Sequence, residues 1–299
     1  MKYIFEDYEF RPSGLGHILT SLKSITDKQL EELDYLLGRP KPTPNQLKKI
    51  KELEAKRDFV ETPETLPDGV KTYLDEIFRT VYWRRRRILS NKYLDKGNMC
   101  EQDVLEIASL VDNEFYIKND EKLSNGYIAG TPDNRQDGII RDAKSNWDMD
   151  SFDKAELSSI YEWQIKGYCW LDGATEGELI YGLVNNPVHQ VLAARQSLWY
   201  SMGQPEEDDL AWRRAIEQQE RNMIFDINKF RDENPGYDFD NEVLDFDIPY
   251  YFRIKKFNVK LHDSDIKDMK RRIILCRKYL LNKEKEVEAK KKLHKNETK

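Results

Sequence analysis

The chain has 299 residues, of which 35% are charged and 39% apolar, and its formal net charge at pH 7 is −6. No run approaches the roughly 18 consecutive apolar residues that a membrane span needs, so we expect no membrane association. Its three cysteines lie far apart without a CxxC pair, which argues for a reducing cytoplasm and against a zinc site or an iron–sulfur cluster. The acidic balance gives no general signal for nucleic-acid binding, which would have to come from local basic patches.

The first third of the chain is predicted to be helical. The stretch FRPSGLGHILT (10–20) indicates a turn that leads into a short apolar helix. Thr26 and Thr43 each open a T-x-x-Q-L segment as the predicted N-cap, and the two segments predict a helical hairpin joined by GRPKP. Further helices are predicted at 67–90 and 98–112.

The periodicity changes after residue 112. The segments EFYIK (114–118), GYIAG (126–130) and GIIRDAK (138–144) predict three successive antiparallel strands. The remaining predicted elements are a helix at 155–173, a strand at 178–184, helices at 188–202 and 206–231, an acidic loop at 232–247, a strand at 250–261 and a long final helix. The end of the chain, KEKEVEAKKKLHKNETK, predicts a frayed, solvated tail.

The stretch GTPDNRQDGIIRDAKSNW (130–147) sets two acids and a lysine around a short apolar run. Asp142 and Lys144 alternate with Ala143, so both side chains are predicted to point to the same face of one strand. The carboxylates of Asp133 and Asp142, with the carbonyl of Ala143 as a further ligand, are predicted to form a hard oxygen site suited to Mg²⁺ or Mn²⁺. A neighbouring lysine can orient and help deprotonate an attacking water, and offset charge on a phosphate. The alternative is an ordinary type I turn followed by an edge strand with solvated charges.

Two further pairs complete a pattern. Gly97 precedes Glu101 by four residues, and Gln164 and Tyr168 share one helical face at i and i+4. In chain order this gives G-x-x-x-E, G-T-P-D, D-A-K and Q-x-x-x-Y, which together resemble the PD-(D/E)xK nuclease superfamily. Within it, the chain looks most like the phage recombination exonucleases of the lambda exonuclease and YqaJ type, which share a nuclease core with RecB. The resemblance covers residues 90–185 and, more weakly, the stretch FRPSGLG.

The resemblance implies an α/β (α+β) fold. Its core would be the restriction-endonuclease-like PD-(D/E)xK core, a central mixed sheet flanked by helices, with an N-terminal helical hairpin and a C-terminal helical elaboration. We see no clean linker and expect a single nuclease domain. Its expected parts are a helical region at 1–90, the core at about 91–187, a helical and strand extension at 188–285 and a tail at 286–299.

The resemblance also implies roles for six residues. They are Glu101, which helps position a metal ion; Asp133, which bridges metal ions; Asp142, the second direct ligand; Lys144, the catalytic lysine; and Gln164 and Tyr168, which organise the site and the nearby DNA strand. Family members often have Glu where this chain has Asp142, whose side chain is shorter by one methylene.

Contacts to DNA are predicted at several further positions. In lambda-type enzymes an arginine and a serine hold the 5′-phosphate, which suggests Arg11 and Ser13 here, with Thr131 as a third candidate. The alternative for FRPSGLG is a capping turn before a helix. Trp147 follows the lysine on a predicted loop and is a candidate DNA contact. The run WRRRR (83–87) predicts either contact with the DNA backbone or a solvated face.

The function that this resemblance implies is a Mg²⁺-dependent deoxyribonuclease, with Mn²⁺ as a substitute, acting on the ends of double-stranded DNA. Degrading one strand would leave a single strand for an annealing protein, in phage-type recombination in the cytoplasm (the host's, if the chain is phage-encoded). A trimeric ring is a further expectation from the resemblance. Two alternatives stay open: an endonuclease with the same core, and a non-catalytic DNA-binding protein.

Overall fold

A computed structural model describes residues 2–19, 25–87, 91–239 and 247–297. The last three residues of the helix predicted at 67–90, seven residues of the predicted acidic loop and the last two residues of the predicted tail lie outside these ranges. Among the described helices, none combines the length and apolar character needed to cross a membrane.

The described residues of the N-terminal region form four helices. They are α1 (Pro12–Leu19), α2 (Asp27–Leu37), α3 (Pro44–Asp58) and α4 (Asp68–Val81). The predicted caps of α2 and α3 are confirmed: the side chain of Thr26 accepts from the backbone N–H of Gln29, and that of Thr43 from Gln46. In each case the glutamine side chain accepts from the backbone N–H of its threonine, which completes a capping box. Helix α4 is shorter than predicted.

Within the described ranges, four strands form the central sheet and two more pair separately. In chain order the strands are β1 (Leu123–Ser124), β2 (Ala129–Gly130), β3 (Asn134–Gln136), β4 (Ile139–Ser145), β5 (Glu176–Gly182) and β6 (Ile254–Lys260). The central sheet has the order β3–β4–β5–β6, with β4 parallel to β5 and the other two pairs antiparallel. The predicted mixed sheet is therefore confirmed.

The prediction of three successive antiparallel strands is wrong in its pairing. Strand β4 pairs with the polar segment β3, which lies between the predicted strands at 126–130 and 138–144, and β2 pairs with β1 outside the central sheet. The segment at 114–118 contributes only an isolated bridge between Lys118 and Asn134. A three-residue polar strand such as β3 shows no alternation of apolar residues, so hydrophobic periodicity does not reveal it.

Helices α5 (Lys92–Asp112) and α7 (Ser159–Asp172) cover opposite faces of the sheet, with the short helix α6 (Met149–Asp153) between β4 and α7. On β4, Ile140 packs with Ile165 on the α7 side, whereas Ala143 packs with Val104 on the α5 side. The parallel pair β4–β5 is thus buried on both faces, as parallel strands usually are. This sandwich fixes which residues of β4 face α7.

The C-terminal half adds helices α8 (Val188–Ser201), α9 (Leu210–Arg221), α10 (Ile227–Glu233) and α11 (Asp263–Glu297), with a short 3-10 helix at Tyr250–Phe252. The single helix predicted at 206–231 is wrong, because the chain breaks between α9 and α10. There the side chain of Asn185 accepts from the backbone N–H groups of Phe225 and Asp226. This long-range capture of the backbone leaves no signal in the local pattern.

The predicted frayed tail is also wrong, since α11 continues to Glu297. Glu284 is buried, and its carboxylate accepts from the backbone N–H groups of Ile4 (3.0 Å) and Phe5 (3.1 Å). One turn further, Glu288 accepts a hydrogen bond from the hydroxyl of Tyr82. The charged segment therefore stays helical because its acids bind the N-terminal region.

Candidate active site

Strand β4 and helix α7 bring together residues that the sequence placed in separate motifs. Asp142 is buried, with 1% of its surface exposed, and its Oδ1 accepts from Nε2 of Gln164 at 2.8 Å. The ammonium of Lys144 forms an ion pair with Oδ2 of the same carboxylate. The predicted common face of Asp142 and Lys144 is therefore the face that α7 covers.

Asp133 reaches this pair from the edge of the sheet. Its Oδ2 accepts from the backbone N–H of Ala143 at 2.8 Å, and its own carbonyl accepts from the N–H of Asn119 at 2.7 Å. Burial, together with the negative charge of Asp142, raises the pKa of Asp133 to about 7. The two carboxylates are thus held close enough to repel each other when both are ionised, and a bound cation would offset this repulsion.

Lys144 carries its positive charge at neutral pH. Burial lowers the pKa of the ammonium, but the charges of Asp142 and Asp133 outweigh burial and raise it above the ordinary value. Its Nζ also lies 3.4 Å from the carbonyl oxygen of Ala143 and 5.6 Å from the ring centre of Tyr161. A lysine in this state acts as a cation and hydrogen-bond donor rather than as a base.

Glu101 lies near these residues but does not join them. It sits well inside α5 rather than at a helix start, because α5 begins at Lys92, where Asn91 accepts from the N–H of Tyr93 as the N-cap. Its Oε2 pairs with Nζ of Lys118 at 3.4 Å, and its charge adds to the raised pKa of Asp133. Across the described ranges, no three His, Cys, Asp or Glu side chains come together as a metal cage.

Tyr168 lies on α7 one turn after Gln164 and is buried. Burial raises the pKa of its hydroxyl, and the charges of Asp142 and Asp133 raise it further. Gly130 makes room for it: a Cβ atom at this position would lie 3.0 Å from Cε1 of Tyr168 and 2.8 Å from Cδ of Pro12. The start of α1, strand β2 and Tyr168 therefore meet at one point beside the acids.

Three of the four predicted DNA-contacting residues are chain neighbours of the residues that meet at this point. Arg11 and Ser13 are exposed on either side of Pro12 at the start of α1, and Thr131 is partly buried directly after β2. Trp147 lies on the loop after β4, as predicted, but it is partly buried against the cluster that contains Val191. The ammonium of Lys92 lies 4.4 Å from the centre of its ring.

The sequence did not single out three residues that border the site. Lys118 pairs with Glu101, Tyr161 faces Lys144, and Asn134 is buried with its Nδ2 donating to the carbonyl of Ile117 at 2.8 Å. Asn134 could have been predicted to border the site, because it directly follows Asp133 in the sequence. The other two depend on contacts between distant segments.

The chain places a mixed sheet between two helices, with Asp-x-Lys on a central strand and a second acid directly before the neighbouring edge strand. Among solved structures it resembles a phage-related exonuclease from Haemophilus somnus 129PT, with a TM-score of 0.56 and 18% identity over 94% of this chain and 96% of that one. The resemblance to phage-type exonucleases inferred from sequence motifs is therefore confirmed at the level of the fold.

Two structures of the alkaline exonuclease LHK-Exo from Laribacter hongkongensis are also similar. The first has a TM-score of 0.47 at 9% identity, and the one in complex with dAMP has 0.46 at 10%. Each match covers 76% of this chain and 87% or 88% of the other. No protein-family model and no curated protein matches the chain by sequence.

Proposed function

We propose that the protein is a Mg²⁺-dependent deoxyribonuclease that hydrolyses double-stranded DNA from its ends. The observation that carries this proposal is the convergence of Asp133, Asp142 and Lys144 at one strand of an exonuclease-like fold. The ordinary alternative, a solvated turn and edge strand, fits poorly with an aspartate that is 1% exposed and bonded to a buried glutamine.

The residues present fit a hard divalent cation. Asp133, Asp142 and the carbonyl of Ala143 offer oxygen donors, which Mg²⁺ prefers and Mn²⁺ accepts. Oδ2 of Asp142 is buried and touches the Lys144 ammonium, yet it accepts no hydrogen bond of regular geometry. The raised pKa of Asp133 is a second sign that a positive charge suits this position. Glu101 would assist through water, since it does not reach the other two acids.

The bound ion would offset phosphate charge and lower the pKa of the attacking water. Lys144, already protonated, donates a hydrogen bond to a non-bridging phosphate oxygen and stabilises the charge that builds in the transition state. Gln164 keeps the carboxylate of Asp142 in one orientation through its 2.8 Å hydrogen bond. Tyr168 closes the wall of the site towards α1.

Arg11 and Ser13 are the proposed anchor for the DNA end. An arginine fork grips a terminal phosphate bidentately, and the serine hydroxyl adds a further donor. Both flank Pro12, whose contact with Gly130 fixes the start of α1 beside Tyr168. Thr131 would extend the same surface towards Asp133, and Trp147 would contact DNA beyond Lys144.

The wider role that we propose is phage-type recombination, in which the remaining single strand passes to an annealing protein. The similar structure from Haemophilus somnus is itself described as phage-related, which supports this context. We further propose that residues 91–187 form the catalytic core of a single nuclease domain and that the enzyme acts as a trimeric ring.

The test compares three substrates of one sequence: a linear duplex with 5′-phosphates, the same duplex with 5′-hydroxyls, and a covalently closed circle. Each is incubated with Mg²⁺ or with a chelator, and the products are sized. We expect nucleotides to be released from the linear forms only, faster from phosphorylated ends, and no cleavage with the chelator. Asp142→Asn serves as the matched inactive variant, because it keeps the side-chain volume and removes the charge.

The outcomes separate the alternatives. Cleavage of the closed circle identifies an endonuclease, and the absence of any cleavage identifies a non-catalytic DNA-binding protein. Equal rates on phosphorylated and hydroxyl ends would contradict the proposed anchoring of the DNA end by Arg11 and Ser13, and would not affect the proposed metal site.

A further inference from the structure

Four consecutive arginines, at 84–87, follow α4 and are all exposed. Trp83, directly before them, is 47% exposed. Throughout the described part of the chain, none of these four guanidinium groups pairs with a carboxylate. Four unpaired arginines in one run concentrate positive charge at one place in a chain whose net charge is −6.

The end of α11 adds lysines to the same area. Nζ of Lys291 donates a hydrogen bond to the hydroxyl of Tyr82 at 2.6 Å and lies 5.1 Å from the ring centre of Trp83, which places this lysine beside the end of α4. Lys290 and Lys292 flank it and are exposed. We call the residues 84–87 and 290–292 the basic patch.

Two acids on α4 and α11, the helices that lead to the basic patch, already have partners. Glu288 binds both Tyr82 and Lys291, and Asp75 binds Lys283 and the hydroxyl of Tyr279. The arginines therefore keep their full charge towards solvent. Like charges this close repel one another and destabilise the fold slightly, so an external anion is their natural partner.

The backbone holds the run in a defined place. Arg84 has a φ of 54°, in the left-handed region that residues other than glycine seldom adopt. The N–H of Arg85 donates to the carbonyl of Arg79 at 3.0 Å, which closes the end of α4. The arginines thus leave the helix at a fixed turn rather than extending it.

Helix α4 connects the basic patch to the proposed DNA-end anchor. Near its other end, the ring of Tyr73 stacks on His17 of α1 with 4.8 Å between ring centres. From Tyr73 to its end at Val81 the helix advances about 12 Å, at about 1.5 Å per residue. Phosphates of one DNA strand follow each other about every 3.4 Å along the duplex, so this distance corresponds to about three to four base pairs.

We propose that the basic patch is a second phosphate-binding surface, which holds the backbone of the DNA outside the active site. That the polyanion is DNA rests on the proposed function. Arginine forks bind phosphate oxygens bidentately, and each neutralised phosphate releases counterions, so binding here depends strongly on salt. The patch keeps the enzyme on its substrate between successive cleavages.

The experiment measures binding of the full chain to a labelled duplex of about 20 base pairs, in chelator, between about 50 and 200 mM salt. One variant replaces the four arginines at 84–87 by glutamine. The control replaces four lysines of α3, which stand among Glu52 and Glu54, by glutamine and removes the same charge; they are Lys48, Lys49, Lys51 and Lys56. A third variant replaces the four arginines by lysine.

We expect the glutamine variant of the arginines to flatten the slope of log affinity against log salt by about 3 to 4, since each phosphate contact contributes about 0.9. Its affinity at about 100 mM salt falls about tenfold or more, uniformly across DNA sequences. The α3 control keeps the wild-type slope, and the lysine variant keeps most of it because its charge is unchanged.

An unchanged slope in a folded glutamine variant overturns the proposal, as does an equal loss in the α3 control. The first result would leave an acidic protein as the partner of the patch. If the fourfold variant does not fold, the pairs R84Q/R85Q and R86Q/R87Q are measured in the same way. Because binding is followed without metal, a wild type that binds through the patch but never cleaves refutes the proposed function and leaves the patch standing.

Discussion

Asp133 is the residue whose protonation couples the site to folding. Burial and the neighbouring Asp142 raise its pKa to about 7, whereas an aspartate in an unfolded chain titrates near about 3.9. Between these two values the folded state holds a proton that the unfolded state has released. The stability that this proton contributes is complete below about pH 4 and is lost as the pH rises through about 7.

Asp133→Asn should therefore change the pH dependence of metal-free stability. At about pH 8 we expect the variant to melt roughly 2 to 8 °C higher than wild type, which corresponds to about 1–2 kcal/mol for a chain of this size. At about pH 4 the two proteins should melt together, because Asp133 is then neutral. Thermal unfolding in chelator across this range measures both, with the exposed Asp120→Asn as the control. Parallel pH profiles for wild type and Asp133→Asn would show that the two acids do not repel each other.

Lys144 is expected to act on the reaction and not on metal binding. Its removal by Lys144→Ala takes away one electrostatic stabiliser, which lowers the cleavage rate on the order of 10²–10³-fold. Calorimetry with Mn²⁺ should still detect binding, since the carboxylates of Asp133 and Asp142 remain. The exposed Lys122→Ala is the matched control. Loss of Mn²⁺ binding together with activity would instead make Lys144 a structural counter-ion of Asp142.

At the scale of elements, α1 and α7 approach each other through glycine. A Cβ atom on Gly16 would lie 2.5 Å from the backbone Cα of Ile160, and one on Gly167 would lie 2.5 Å from Cδ1 of Leu15. The backbone of α7 cannot yield without moving the helix, and α7 carries Gln164. The position of the glutamine that orients Asp142 therefore depends on a glycine in another helix.

A pair of glycine substitutions tests this packing. Gly16→Ala forces the two helices apart, and we expect it to cost about 1–3 kcal/mol of stability, as overpacking does, and to lower the cleavage rate. Gly69→Ala, within α4, meets no atom within 4 Å and should stabilise by up to about 1 kcal/mol, because alanine favours helix over glycine. Urea unfolding and initial rates on a linear duplex measure both effects. Similar stabilities for the two variants would contradict the close contact.

Local signals explain which elements the sequence could predict. Thr26 and Thr43 predicted the starts of α2 and α3, because capping boxes are complete within four residues. The break between α9 and α10 could not be predicted, since it depends on Asn185, about forty residues away. The sequence did not predict the pairing of β3 with β4 for a related reason. Strand β3 is polar and short, and the register of the whole sheet determines its partner.

In the candidate site too, local patterns predicted some contacts, whereas contacts between distant segments could not be predicted. Alternation on β4 predicted that Asp142 and Lys144 share a face, and helical spacing put Gln164 and Tyr168 on α7. The ion pair between Glu101 and Lys118 could not be foreseen, because it joins α5 to a segment without regular structure. Its effect is to hold Glu101 away from the other acids, which motif order alone does not indicate.

At the scale of the whole molecule, the N-terminal region and α11 share one core. Phe5 and Leu15 pack in the same cluster as Met269 and Ile273, and the carboxylate of Glu284 caps the backbone at Ile4 and Phe5. The segment that was predicted as a solvated tail therefore holds the residues before α1 in place, and with them α1.

Two neighbouring glutamates of α11 test this role. Glu284→Ala leaves the N–H groups of Ile4 and Phe5 without their partner, and we expect a loss of about 1–3 kcal/mol. Glu286→Ala, exposed on the same helix, should stay within about 0.5 kcal/mol of wild type. Chemical unfolding of wild type and the two variants measures both changes in the free energy of unfolding. Equal stability of the two variants would contradict this role and support the prediction of a solvated tail.

The contact between Ile4 and Glu284 spans 280 residues, which has a consequence during synthesis. Proteins are made at about 5–20 residues per second, and long-range contacts form only when both partners have left the ribosome. Helix α1, which directly follows Arg11 and packs on α7, therefore lacks its support until α11 has been translated. The proposed nuclease would then gain its activity only after α11 has left the ribosome, which would spare nucleic acids near the site of translation from an incompletely synthesised enzyme.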